Sequence, residues 1–108
     1  MLTARRAVLA ALATAFATSV SAAGDVEAGR IKANTCMGCH GIPNYTNAYP
    51  TYRVPKLGGQ HPEYIKAALK DYRDGKRQHT TMHAQGLSLS DQDIEDIAAY
   101  IAKAPAHQ

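Results

Sequence analysis

The chain has two cysteines. They stand three positions apart, and a histidine follows the second at once: Cys36-Met37-Gly38-Cys39-His40. Thiols at this spacing add to the two vinyl groups on one edge of a porphyrin. The residue after the second thiol then lies under the iron and offers an imidazole nitrogen. Cys-x-x-Cys-His therefore reads as an attachment site for haem c. Other chemistries fit less well. A disulfide between Cys36 and Cys39 suits an oxidising compartment, but it closes a tiny loop and fills no core. A thioredoxin-like pair expects a strand before the motif and a helix after it, whereas here a helical pattern precedes and a Pro-rich loop follows. A zinc site needs a second Cys or His pair at the usual spacing, and the sequence has none.

An iron held by His40 alone keeps one face open to oxygen or peroxide. A second strong ligand closes that face and favours electron transfer. Met1 lies in the N-terminal segment, and Met37 sits between the two thiols on the attachment side. Met82 stands isolated among Thr80, Thr81 and His83, in a stretch from which the chain can swing across. That polar setting suits a ligand better than a flexible core filler. His79 and His83 are rivals for the role. His61, just before a helical pattern, and His107, near the C-terminus, read as surface residues.

Several elements must position these groups. The first is expected to be removed. Arg5 and Arg6 precede an uncharged run from Ala7 to Val20, and Ser19-Val20-Ser21-Ala22-Ala23 supplies small residues for cleavage. The run is shorter than the roughly 20 apolar residues that span a bilayer. Residues 1–23 thus read as a cleaved signal peptide, and residues 24–108 as a single domain exported to the periplasm. The whole chain of 108 residues carries a net charge of +3, but Arg5 and Arg6 leave with the signal. What remains is nearly balanced, which excludes a basic nucleic-acid-binding protein. It holds only a dozen Val, Ile and Leu residues, a thin core for a domain that must fold alone.

Helical patterns cover 24–35, 61–74 and a last segment opened by Ser90. Asp25 can cap the first. Pro62 suits the first helical position of the second, and Gly75 its end. Ser90 and Asp93 are spaced as a capping box, with Leu89 and Ile94 placed as a hydrophobic staple. Gly29, inside the first pattern, costs about 1 kcal/mol against Ala; it is either simply tolerated or marks close approach by another helix. Stretches 41–60 and 76–89 read as loops, without the period-two alternation of a strand. Three helices and two long loops around a thin core point to a bound object that the loops wrap.

On these residues the chain resembles the class I c-type cytochromes. Within them it is similar to the small monohaem bacterial periplasmic carriers related to the halves of dihaem cytochromes c. Cys36-Met37-Gly38-Cys39-His40-Gly41 follows an N-terminal helix. Val54-Pro55-Lys56-Leu57-Gly58-Gly59-Gln60-His61 resembles the family segment that leads into the middle helix. The stretch from Gly75 to Met82 resembles the Met-ligand loop, and Leu89-Ser90-Asp91 through Tyr100 resembles the C-terminal helix. The resemblance implies an all-α cytochrome c fold in which the terminal helices cross, with Gly29 against Tyr100. It implies that the Pro55 carbonyl accepts a hydrogen bond from His40, and that Met82 is the sixth ligand. The tyrosine-rich stretch 42–53, with Tyr45, Tyr49 and Tyr52, departs from the commonest members.

The expected function is periplasmic one-electron transfer through one thioether-linked haem c with His40 and Met82 on the iron, without enzymatic activity. A haem with an open sixth site, binding a small ligand or peroxide, is the main alternative. A fixed haem subunit of one oxidoreductase is another. Expected partners are redox donors and acceptors met in transient complexes, including membrane-bound oxidoreductases, by a monomer. Residues 53–77 are rich in basic groups and 91–96 in acidic ones, a dipole that can orient encounters. Lys66 and Lys70 are the expected docking cations.

Overall fold

The computed structural model describes residues 23–49 and 51–105. The expected signal peptide, apart from Ala23, lies outside the described residues, as does His107. The elements run α1 (Val26–Lys32), α2 (Asn34–His40), β1 (Thr46–Ala48), β2 (Thr51–Arg53), α3 (Pro62–Arg73), α4 (Thr80–Gly86) and α5 (Asp91–Lys103). No helix among the described residues is long and apolar enough to cross a membrane.

Asp25 starts α1 by accepting the Glu27 and Ala28 amides at 2.8 and 3.0 Å. At Ala33 the helix breaks and resumes as α2, with the ladder kept across the join: the Ala33 amide bonds Gly29 and the Met37 amide bonds Ala33. Helix α2 therefore has no side-chain cap and uses none. Helix α3 has Pro62 in its first turn and ends at Asp74, before Gly75 at φ +77°. Helix α5 carries the full capping box: the Asp93 amide donates to Ser90 Oγ at 3.0 Å and the Ser90 amide donates to Asp93 Oδ2 at 2.9 Å.

The expected three helices become five among the described residues, and the expected loops are not wholly irregular. Stretch 41–60 contains an antiparallel hairpin pairing Thr46 with Arg53, Asn47 with Tyr52 and Ala48 with Thr51. Thr and Tyr favour extended backbone. Three-residue strands are too short to show an alternation. Stretch 76–89 contains α4, capped by His79. Histidine is not among the usual capping residues, and seven residues give little periodicity.

The core is Ala33, Ile65, Leu69, Ile94, Ile97, Ala98 and Ile101, bordered by the half-buried Cys36, Leu57, Met82, Leu89 and Tyr100. It sits where α5 meets α1 on one side and α3 on the other. The α1–α5 crossing is close because of Gly29. A side chain there would run into the Asp96 carbonyl and lie 2.8 Å from the Tyr100 Cβ. Close approach thus accounts for the glycine, with the Asp96 backbone nearer than the aromatic residue.

Asp96 fastens the same crossing. Its carboxylate is buried, at 3% exposure. It accepts the Asp25 amide at 2.8 Å, Lys32 Nζ at 2.6 Å and Gln92 Nε2 at 2.9 Å. These donors, the Asp25 amide first, hold its carboxyl at about 2, below the ordinary 3.8. Two predictions follow from the crossing. Gly29→Ala should lower the stability of the haem-loaded protein by about 1–3 kcal/mol in guanidinium unfolding; an unchanged midpoint would mean that the two backbones do not touch. A carboxyl with a depressed folded pKa stabilises above its unfolded value and loses that contribution as the pH falls through the folded one. The Asp96 contribution, about 2 kcal/mol, should be full above about pH 4 and lost toward pH 2. Melting curves of parent and Asp96→Asn should differ most at neutral pH and converge in acid.

Candidate functional site

Helix α2 gathers the attachment residues. Positions three and four apart share a helical face, so Cys36, Cys39 and His40 line one side of α2. Sequence reading ended the first helix at Thr35; the structure carries helical backbone through the whole motif. Both thiols are free and half-buried. Burial pushes the Cys36 thiol above its ordinary 9.0, a shift the Thr35 side chain partly offsets. Among the described residues no three His, Cys, Asp or Glu side chains gather to hold a metal by themselves.

His40 is buried, and its Nδ1 lies 2.6 Å from the Pro55 carbonyl oxygen. A carbonyl only accepts, so Nδ1 carries the proton. That fixes the tautomer and leaves the Nε2 lone pair for coordination. Pro55 is held by its neighbours. The Val54 amide bonds the Tyr45 carbonyl at 2.9 Å, closing the hairpin, and the Gly59 amide bonds the Ile101 carbonyl at 2.9 Å, seating the following turn on α5.

Met82 lies in the first turn of α4, not in a loop. It is half-buried and packs against the same apolar cluster as Cys36. Helix α4 is fastened to α3 at its C-terminal half. There His83 Nδ1 donates to the Tyr72 carbonyl at 2.7 Å, and Gly86 is buried near the Arg73 backbone. The two rival histidines are thus both engaged. His79 Nδ1 accepts the Met82 amide at 3.3 Å, which places its proton on Nε2 and removes that nitrogen from coordination. His83 keeps a free Nε2 but is tethered through its other nitrogen to α3. His61 is exposed and caps α3, accepting the Glu63 amide at 3.2 Å.

These residues fit a porphyrin held by thioethers. Two uncommitted thiols and one tautomer-fixed imidazole share a helical face, and a thioether side chain borders the same apolar cluster. The sequence marks His79 as a rival ligand and Tyr52 as part of a tyrosine-rich stretch, but not the link between Tyr52, Thr81 and His79 beside Met82. Tyr52 Oη donates to Thr81 Oγ1 at 2.8 Å, and the Tyr52 ring meets His79 edge-on at 4.8 Å. Their signal was weak: a tyrosine in a three-residue strand, and a histidine as a cap.

The charge pattern also differs from expectation. Lys66 is tied to Glu63 at 2.6 Å and Glu95 at 3.2 Å. Lys70 makes no ion pair among the described residues, but it helps lower the carboxyls of Glu63 and Asp91. The acidic run of α5 is used internally: Asp91 pairs with Arg73, Asp93 and Asp96 with Lys32, and Glu95 with Lys66. Arg53, Lys56 and Lys76 make no ion pair among the described residues.

Comparison with known proteins bears on this arrangement. The sequence profile of the family described as Cytochrome c matches residues 26–105. Cytochrome c-554(548) of Halomonas halodenitrificans is 47% identical over 83 residues, covering 72% of this chain and 94% of that protein. Cytochrome c4 of Thiocapsa roseopersicina is 43% identical over 83 residues, covering 76% of this chain and 41% of that protein. The chain thus spans about two fifths of the length of that relative. The crystal structure of reduced recombinant cytochrome c4 from Pseudomonas stutzeri superposes with a TM-score of 0.59 at 28% identity, over 77% of this chain and 51% of that one.

Proposed function

The chain belongs to the cytochrome c family, and from that premise we propose that it is a one-electron carrier with a single covalently attached haem c. In this reading residues 1–23 are a cleaved signal peptide and 24–108 one domain, exported to the periplasm. The observation that carries the reading is His40: a buried imidazole whose Nδ1 proton is committed to the Pro55 carbonyl, one residue after a free thiol and four after another. When bound, haem c supplies a ferric/ferrous couple that takes up and releases one electron. Cys36 and Cys39 hold it by thioether bonds. His40 Nε2 is the fifth ligand, oriented by Pro55. Met82 is the sixth, in keeping with its place on the apolar cluster it shares with Cys36. Ile65, Leu69, Ile94 and Ile97 form that cluster and exclude water from the Cys36 and Met82 side of the site. Two strong ligands leave no open coordination position, which favours a carrier over a peroxidatic or ligand-binding haem. Partners are redox proteins met in brief complexes, including membrane-bound oxidoreductases, by a monomeric carrier.

Optical spectra of the purified protein test the ligation. The ferric parent should show the long-wavelength charge-transfer band of a thioether sulfur on iron, and the ferrous parent should not bind carbon monoxide. Met82→Ala should lose the band and bind carbon monoxide readily. If the parent itself binds carbon monoxide as the variant does, the open-site reading replaces this one.

We infer that Lys56, rather than Lys66, serves as a docking cation beside Lys70. Lys56 adjoins Pro55 and has no acidic partner among the described residues, whereas Lys66 is neutralised in place by two. In stopped-flow oxidation of the ferrous protein by ferricyanide, an anionic probe, Lys56→Gln should slow the reaction a few-fold at low salt. The difference should close as salt screens the charge. Lys66→Gln should stay near the parent. Equal slowing by the two variants would contradict the reassignment.

A further inference from the structure

The two strands of the hairpin pair with each other, and neither lays its backbone on a helix. The hairpin reaches α4 through the Tyr52 side chain. Its ladder leaves Thr51 and Arg53 exposed and Tyr52 half-buried, and the Tyr52 side chain meets the first turn of α4 twice. Its hydroxyl donates to Thr81 at 2.8 Å, and its ring packs edge-on against His79, with centroids 4.8 Å apart and planes at 84°. His79 is the residue that caps this turn by accepting the Met82 amide. Behind it lies Tyr72, whose ring is 6.2 Å away and is covered by the Arg77 guanidinium at 4.7 Å. Tyr52 therefore grips the residue just before Met82 and the residue that caps it.

This grip matters because α4 cannot hold itself. Seven residues are too few for a stable helix without tertiary support. The bonds to α3 support its far half, through His83 and Gly86. Nearer Met82 the added support is Tyr52. We propose that Tyr52 is a positioning residue for Met82: by bonding Thr81 and packing on His79 it fixes the first turn of α4, and so sets how firmly the Met82 sulfur is held at its ligand position. The inference rests on the reading of Met82 as an iron ligand. A phenylalanine at 52 keeps the ring contact and loses the hydroxyl bond; a valine at 81 loses the same bond from the other end.

The test is imidazole titration of the ferric, haem-loaded protein, in which added imidazole competes with Met82 and the long-wavelength band reports its displacement. Tyr52→Phe and Thr81→Val should each raise the apparent imidazole affinity about threefold to tenfold, the worth of one hydrogen bond. The double variant should match the single ones, since all remove one shared bond. Unchanged affinity in both single variants, or additive effects in the double, overturns the proposal. Denaturant midpoints separate it from a merely structural role: a lowered midpoint with unchanged imidazole affinity also counts against it. If Tyr52→Phe fails to load haem, Thr81→Val reads the same bond with the ring in place. Failure of the ligation reading is visible earlier and separately. A ferric parent without the band, binding imidazole as tightly as Met82→Ala, removes both ideas before any residue 52 variant is made.

Discussion

At Gly29 the backbone of α1 lies against the Asp96 carbonyl of α5, closer than any side chain permits. The Asp96 carboxylate turns back from the same residue to hold the first amide of α1's cap and the Lys32 ammonium. One residue of α5 thus supplies the surface, through its backbone, and the fastening, through its side chain. The arrangement works because both oxygens of the buried carboxylate meet donors, so burial does not leave a bare charge. The positions of the other elements descend from this contact. Helix α1 continues into α2 and carries the Cys-x-x-Cys-His residues; α5 carries α3, and α3 carries α4 with Met82.

The two proposed axial ligands are therefore supported very differently. His40 ends a helix continuous in hydrogen bonding with α1, and its ring is locked by a carbonyl whose own loop is bonded to the hairpin at one end and to α5 at the other. Met82 rides on a helix of only seven residues, held by caps and side-chain contacts from three separate segments. The Met82 side is the softer of the two, and its stiffness depends on polar contacts outside the apolar core. With so few large apolar residues in the domain, packing alone cannot supply that stiffness.

Much of this was legible in the sequence. The attachment motif stands out because its chemistry requires fixed residue types at fixed spacing. The middle and last helices were visible because Pro62, Gly75 and the Ser90–Asp93 box are local signals. Gly29 was legible as an anomaly, a costly residue in a helix, and the Asp96 backbone against it decides for close approach over simple tolerance. Helix α4 and the hairpin were not legible, for a common reason. Each is too short for its period to show, and each is stabilised by a partner distant in sequence: Tyr72 for His83, Thr81 for Tyr52. The partners of Lys66 were hidden for a related reason. Counting charge along 53–77 cannot reveal that Lys66 faces Glu95, which lies across a helix packing contact.

The internal use of the acidic run of α5 has a consequence for electron transfer. Asp91, Asp93, Glu95 and Asp96 each pair with a basic residue from α1 or α3, so the fold spends its negative charge on fastening helices. Among the described residues, the cations without an ion pair include Arg53, Lys56 and Lys76, close in sequence to Pro55 and to the approach to α4, besides Lys70 and Lys103 on α3 and α5. The charge counted along the sequence is thus partly consumed inside the fold: the acidic run of α5 is paired, while Arg53, Lys56 and Lys76 stand without ion pairs among the described residues on the segments next to the proposed ligand-bearing ones. In this arrangement the cations proposed to steer an anionic partner are not those that hold the fold. Substitution can then alter encounter without loosening the α1–α5 crossing on which the haem-binding residues depend.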